Sequence, residues 1–475
     1  MKAFFQRLKL EWHSFVLILP LIAGMGYRFS LHENPALSIT NYDTIAYVGS
    51  GEIDFFSLDF FTSNRPATIS LTYKLLEPKT EYQYTNLVSP AENIKSPKTY
   101  QPGFDRVAIT QAIFSTLTWS LLAVVIYRQL RQPFLKLSGA LLVLLFAFSP
   151  QLADWDSILM SESISISFYA LVLALTLELT AKIAQVETGW DRSTKLLMAV
   201  WLLVVVFWIF ARDTNAYMLL VFAVVLGLGL LIPKLRPHFN LSYTLVVVAL
   251  LLGLFFFHNR TLFMSSRWIN PFFNNLLRDV LPYADRTQFF TDNGMPLTDE
   301  MLGFVDGPGN QKGFFEIEPL VAWVNEKGST TYLKFILSKP AVTWERFISK
   351  AALVFSENTQ PFFIPDYEVT PRWVFFMGDL LHPKSNSVYL AAALACLGFL
   401  ISAHRSQSRA LVGLAWIGAF FLLGQLGLLF MSLMGDALGL VRHAMGTAIH
   451  LRLSLWVFSC FILDGIGLAM QKTRP

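Results

Sequence analysis

The sequence predicts an all-α polytopic membrane protein of about ten transmembrane helices, with amphipathic helices in two long loops on its outer face. Three observations carry this. The 475-residue chain is 54% hydrophobic and 15% charged, where an ordinary soluble domain has about 25% charged residues. Its mean hydropathy is +0.48. Apolar runs near the roughly 20 residues that cross a bilayer recur along it, and the basic residues between them fall on alternate sides.

The runs lie at 12–30, 107–127, 133–150, 161–181, 195–211, 215–232, 240–257, 386–403, 409–434 and 446–468. The first follows Lys2, Arg7 and Lys9 as a signal peptide would, but no small-residue cleavage site follows it, so it reads as a retained anchor. With the N-terminus inside, the inner connections hold Arg128, Arg131 and Lys136, then Lys182, Arg192 and Lys195, then Lys234 and Arg236, Arg405 and Arg409, and Lys472 and Arg474. The short outer connections hold only Arg212 and Arg442. This asymmetry places both termini in the cytoplasm.

The organisation that follows is a transmembrane module over 1–257, whose first outer loop is 31–106, a long outer loop over 258–385, and C-terminal transmembrane helices over 386–475. The first loop is rich in Pro, Asn and Ser. The second spaces Trp268, Phe272, Phe273, Trp323, Phe335, Trp344 and Phe347 at helical intervals, which predicts short helices on the membrane surface, the tryptophans acting as interface anchors. Cys396 and Cys460 both fall inside apolar runs, so no disulfide framework is expected. The net charge of +4, with no basic arm, excludes nucleic acid as a partner.

The topology sorts the acids and bases. The outer side collects Asp43, Asp54, Asp59, Arg65, Asp154, Asp156, Glu162, Arg212, Asp213, Asp436, Arg442 and His443, each near the end of an apolar run, whereas Glu178 and Asp464 stand apart near inner ends. Carboxylates and arginines kept beside lipid are costly, and their gathering on one face points to a charged ligand or to chemistry there. Asp43, in Asn41-Tyr42-Asp43-Thr44-Ile45-Ala46-Tyr47, is the candidate general base or metal ligand, or else a helix N-cap. Asp154-Trp155-Asp156 has a spacing that puts two carboxylates on one cation; with Asp43 the three are the candidate ligands of a divalent ion, Mg or Mn. The other reading of the pair is two acids capping the next span. Asp156, Glu162 and Asp436 are further candidates for contact with substrate. Arg65, Arg212, Arg442 and His443 are the candidate phosphate ligands, since guanidinium forks match phosphate oxygens; snorkelling toward lipid headgroups is the alternative, and for Arg212 an ion pair with Asp213.

Taken together, these positions resemble the GT-C superfamily of integral membrane glycosyltransferases, which includes the polyprenyl-phosphate mannosyltransferases, the lipid A aminoarabinose transferases and the oligosaccharyltransferases. Asn41-Tyr42-Asp43-Thr44-Ile45-Ala46-Tyr47 stands where that family has an acidic residue soon after the first span, and Arg65-Pro66-Ala67-Thr68-Ile69-Ser70-Leu71 follows it. Gln111, Ser149-Pro150, Trp155 and Ser161-Glu162-Ser163 resemble the family's segments around the second to fourth spans. The family's Arg-Pro-Pro-Gly-Tyr-Pro tract is reduced here to Arg65-Pro66-Ala67-Thr68, and the first loop is lengthened by about residues 77–105. The resemblance implies transfer of one sugar, with inversion, from a polyprenyl-phosphate-linked donor to an acceptor on the outer face, with Asp43 as base and Arg442, His443 or Arg65 stabilising the departing phosphate. It implies membrane lipid as a partner. The short, economical loops point to a bacterial inner membrane, in which the outer face and its active site are periplasmic. The rival readings are a transporter or flippase for a lipid-linked glycan, and an O-antigen polymerase or ligase.

Overall fold

The computed structural model describes residues 38–40, 43–76, 101, 103–185, 190–233, 236–305, 311–357, 359–363, 371–403 and 409–472. The expected first span at 12–30 and most of the lengthened loop at 77–105 lie outside them, as do Asn41 and Tyr42.

The chain is an all-α polytopic membrane protein. Among the described residues seven helices are long and apolar enough to cross a bilayer, and eight if one bent pair is a single span. The helices are α1 (Thr44–Glu52), α2 (Asp59–Thr62), α3 (Ala67–Leu76), α4 (Asp105–Gln129), α5 (Pro133–Phe148), α6 (Pro150–Ala153), α7 (Glu162–Gln185), α8 (Arg192–Ile209), α9 (Tyr217–Leu231) and α10 (Leu241–Met264). An outer layer follows with α11 (Ile269–Asn275), α12 (Ala284–Asp292), α13 (Asp299–Gly303), α14 (Gln311–Phe314), α15 (Glu318–Trp323), α16 (Ser329–Ser338), α17 (Pro340–Ser356) and α18 (Arg372–Leu381). The chain closes with α19 (Asn386–Ala403), α20 (Arg409–Gly435) and α21 (Leu440–Lys472). The expected run at 386–403 forms α19, whose apolar stretch Asn386–Leu400 is shorter than a full span.

Local chemistry sets several boundaries. Asp191 and Asn240 cap α8 and α10, accepting from the amides of Thr194 at 2.7 Å and Tyr243 at 3.2 Å. Asp464, expected to stand apart, instead accepts from the amides of Arg131 and Gln132 at 3.1 and 2.8 Å. It so answers donors that the start of α5 leaves open, while Glu178 pairs with Arg128 at 3.2 Å. Pro150 cannot continue α5, and the chain bends there by 51° into the segment Pro150–Ser157.

The bent segment and the first loop support each other. The Ile39 amide donates to the Ser157 carbonyl at 2.8 Å and the Leu159 amide to the Ile39 carbonyl at 3.0 Å, a single parallel bridge between Ile39 and Ile158. Thr44 Oγ1 donates to the Leu159 carbonyl at 3.2 Å. Gln111 Nε2 holds the carbonyls of Asp156 and Ile158 at 2.8 and 3.0 Å from α4. Helix α1 lies against α3, with Tyr47 stacked on Tyr73 at 6.0 Å. The approach is tight at Gly51, where an added Cβ would meet Tyr73 Cβ and the Lys74 amide at 3.1 Å. Gly51→Ala is therefore expected to lower stability by about 1–3 kcal/mol through overpacking, measured as a shift in the thermal midpoint of the detergent-solubilised protein.

The outer layer differs from expectation. Its helices fold onto one another around a core of their own, including Phe272, Phe273, Leu276, Phe290, Phe314 and Phe335. Trp323, expected as an interface anchor, is buried in that core, and its indole N–H donates to the Asn293 carbonyl at 3.2 Å. An indole with a hydrogen-bond partner inside has no need of the interface.

Candidate functional site

Asp43 occupies the N-cap position of α1, yet its carboxylate makes no capping bond to that helix. It faces two guanidiniums: Oδ1 accepts from Arg65 Nη2 at 3.1 Å, and Oδ2 is paired with Arg442 Nη1. Arg65 is held where it is by lying over the Tyr47 ring, 4.3 Å from its centroid. Arg442, near the start of α21, reaches a second acid, with Nε 3.5 Å from Glu162 Oε1. The same oxygen accepts from Arg212 Nη1 at 3.2 Å, and Ser161 Oγ donates to the other at 3.3 Å. Tyr47 Oη and Ser161 Oγ lie 3.2 Å apart and close the ring of contacts. Arg212 is anchored from α21 as well, donating to the His443 carbonyl at 3.1 Å.

Five residues from five parts of the chain thus form one chain of contacts, Arg65–Asp43–Arg442–Glu162–Arg212. Glu162 is 1% exposed and Arg442 10%, while Asp43 and Arg65 are the more open end, at 23% and 20%. Three guanidiniums against two carboxylates leave one positive charge, in a setting where charge is costly unless paired. For Asp43, burial alone would raise the pKa, but the guanidiniums of Arg442 and Arg65 outweigh it and hold the carboxyl below its ordinary value. It is therefore ionised at neutral pH. Its contribution to stability is present above the ordinary carboxylate range and is lost as the pH falls through its depressed value.

Beside this chain, Asp436 Oδ1 accepts from Asn274 Nδ2 at 3.0 Å and from the Leu438 amide at 2.8 Å, and Oδ2 lies 3.5 Å from His443 Nδ1. Burial pushes Asp436 up to about 6, against the pull of those hydrogen bonds and of Arg442 and Lys350. A carboxyl whose folded pKa is raised favours the folded state below its unfolded value, near 4, and loses that contribution as pH rises through about 6. The wild-type thermal midpoint is thus expected to rise between pH 7 and pH 5, and Asp436→Asn to flatten that rise; the charged groups acting on Asp436 are Arg442 and Lys350, and the His443 imidazole lies beside it.

The structure brings together Asp43, Arg65, Glu162, Arg212 and Arg442 as the sequence anticipated, with Asp436 and His443 adjoining. Other residues go elsewhere. Asp156 accepts from the Ser163 hydroxyl at 2.7 Å, in the first turn of α7, and Asp154 is buried beside it. Asp54 and Asp59 are exposed rather than convergent, and Asp54 serves its own turn, accepting from the Phe56 amide at 3.1 Å. Arg212 and Asp213 do not pair with each other. Asp213 instead takes a bidentate grip from Arg267, at 3.0 Å on each oxygen, and lies 3.2 Å from His258. Arg267, which sequence reasoning passed over, also donates to the Ser63 carbonyl at 2.7 Å and so fixes the approach to Arg65. For the divalent ion, no group of three or more His, Cys, Asp or Glu is gathered closely enough among the described residues. Both Asp43 oxygens face guanidiniums. The donors present suit an anion, not a cation.

The fold and this site define a polytopic membrane protein with a guanidinium–carboxylate cluster at one end of its helical bundle. No protein-family model matches the chain, and no curated protein does. Among solved structures it is similar to the archaeal oligosaccharyltransferase AglB from Archaeoglobus fulgidus in complex with an inhibitory peptide and a dolichol-phosphate. That match has a TM-score of 0.46 at 9% identity and covers 98% of this chain and 52% of that one. It is also similar to the Archaeoglobus fulgidus oligosaccharyltransferase tethered with an acceptor peptide (TM-score 0.44, 12% identity, 96% and 50% covered) and to its apo form (0.43, 12%, 94% and 50%). The chain spans about half the length of these proteins. The reading of function rests on the side chains of the site.

Proposed function

We propose that the protein is a membrane glycosyltransferase that moves a single sugar, with inversion, from a polyprenyl-phosphate donor to an acceptor hydroxyl. The observation that carries this is the Arg65–Asp43–Arg442 contact, a carboxylate held between two phosphate-matching guanidiniums at the end of a membrane bundle. The family resemblance of the first outer loop supports it. The basic residues at the opposite end, among them Arg128, Arg131 and Lys136, support a cytoplasmic location for that end and for both termini. The site then lies on the outer face, periplasmic in a bacterial inner membrane.

In this reading the donor phosphate competes with Asp43 for Arg65 and Arg442. As the guanidiniums turn to phosphate, Asp43 loses the charges that depress its pKa and becomes a stronger base where the acceptor arrives. The acceptor oxygen attacks the anomeric carbon and its proton passes to Asp43. The bond from that carbon to the phosphate oxygen breaks, and the electron pair leaves with polyprenyl phosphate. Arg442, Arg65 and Arg212 stabilise the charge that develops there, with His443 at the rim. Glu162, fully occupied by Arg212 and Arg442, positions those guanidiniums.

The test is transfer from radiolabelled polyprenyl-phosphate sugars by the purified protein, beside Asp43→Asn. Transfer by the wild type and not by the variant supports the reading. No transfer from any donor, with donor binding that survives the mutation, would replace it with carrier binding or transport.

A further inference from the structure

The last carbonyls of a helix have no partners within it, and at α20 they are answered from the outer layer. Lys350 Nζ donates to the Leu433 carbonyl at 3.0 Å. Tyr332 Oη donates to that of Met434 at 2.6 Å. Asn275 Nδ2 donates to those of Met434 and Gly435, at 3.1 and 2.8 Å. The next residue, Asp436, is held by Asn274. The donors come from α11, α16 and α17 and are themselves locked together. Asp279 accepts from both Arg346 and Lys350 at 2.5 Å, and Arg346 lies 3.3 Å from Tyr332 Oη. Burial alone would raise the Asp279 pKa, but Lys350 and Arg346 hold it below its ordinary value, so the lock is charged at neutral pH.

The turn these groups hold is short. Gly439 takes a left-handed conformation, φ +59°, where an added Cβ would lie 3.4 Å from the His443 ring. Helix α21 starts at the next residue and carries Arg442 in its first turn. The guanidinium that joins Asp43 to Glu162 therefore hangs from the short turn after Gly435, whose near end is fastened to the outer layer as well as to the bundle.

We infer that the outer helical layer is a clamp on Arg442, with Asn274, Asn275, Tyr332 and Lys350 as positioning residues acting through the turn at 435–439. Motion of the outer layer moves the guanidinium, and an anion bound at the guanidinium tightens the outer layer, because coupling between two sites is reciprocal. The inference deepens the phosphate-ligand reading of Arg442, but the mechanical coupling stands without it.

The test uses the full chain in lipid nanodiscs and measures amide hydrogen exchange in the wild type, Tyr332→Phe, Lys350→Met and Lys350→Arg. Tyr332→Phe keeps the ring against Phe272 and loses only the hydroxyl; Lys350→Arg keeps a donor. Exchange at 436–443 should quicken about fivefold or more in Tyr332→Phe and Lys350→Met, as expected for one lost hydrogen bond. It should stay near wild type in Lys350→Arg, with α7 and α8 unchanged in all. Unchanged exchange at 436–443 overturns the clamp, and so does a uniform rise over every span, which reports lost stability instead. A short-chain prenyl phosphate added to the wild type should slow exchange across α16, and less so in Lys350→Met. If that probe does not bind the wild type, the phosphate-ligand reading falls, and the exchange comparison still decides the clamp.

Discussion

Arg442→Ala is expected to abolish transfer and to cost the fold about 3–5 kcal/mol, the loss typical of removing one partner from a buried ion pair. One guanidinium here serves two acids: Asp43 through Nη1 and Glu162 through Nε. Removing it leaves each acid with one guanidinium, Arg212 for Glu162 and Arg65 for Asp43, and takes away the fork that would meet the departing phosphate. Arg442→Lys should keep much of the stability and little of the activity, because an ammonium is a point charge and cannot bridge two carboxylates in one plane. Thermal unfolding and single-turnover transfer measured on the same preparations would separate the two losses. An alanine variant that keeps even a tenth of wild-type turnover would remove Arg442 from the chemistry.

The second large effect falls on Asp43. Asp43→Asn is nearly isosteric and removes one negative charge from a cluster that already carries a net positive one. Transfer is expected to fall by about 10²–10⁴-fold, the usual share of a general base. Binding of the donor should hold or tighten, since Arg65 and Arg442 then face a neutral amide and are released toward phosphate. A fall in both turnover and donor affinity would mean that Asp43 matters for the arrangement of the arginines and not for proton transfer. Arg442→Ala, which removes a phosphate-matching fork, should instead weaken donor binding, and that contrast is more diagnostic than either loss of activity.

Much of the bundle could be read from the sequence, because apolar runs of spanning length and a one-sided basic bias are strong signals in any membrane protein. The same topology made Asp43, Glu162 and Arg442 visible, as charges at the ends of spans on one face. What it could not supply was who pairs with whom. Arg212 sits beside Asp213 in sequence but on a different heading, since Arg212 is extended and Asp213 opens a 3-10 turn; the neighbours part, one to Glu162 and the other to Arg267. Arg267 carried no signal of its own, being one polar residue in a stretch that reads as an amphipathic surface segment. The core of the outer layer was hidden for a related reason. Helical spacing of aromatics shows that a face is apolar, but not whether lipid or another helix covers it.

Asp43 and Arg442 are 399 positions apart, and at about 5–20 residues per second the ribosome needs roughly 20–80 s to travel from one to the other. Throughout that interval the Asp43 carboxylate has Arg65 as a counter-charge but not Arg442. Chains that stall before Arg442 keep Arg65 and Arg212 but lack the guanidinium that joins Asp43 to Glu162. The joined centre therefore waits on the helix that carries Arg442, and a shorter fragment holds its two halves apart.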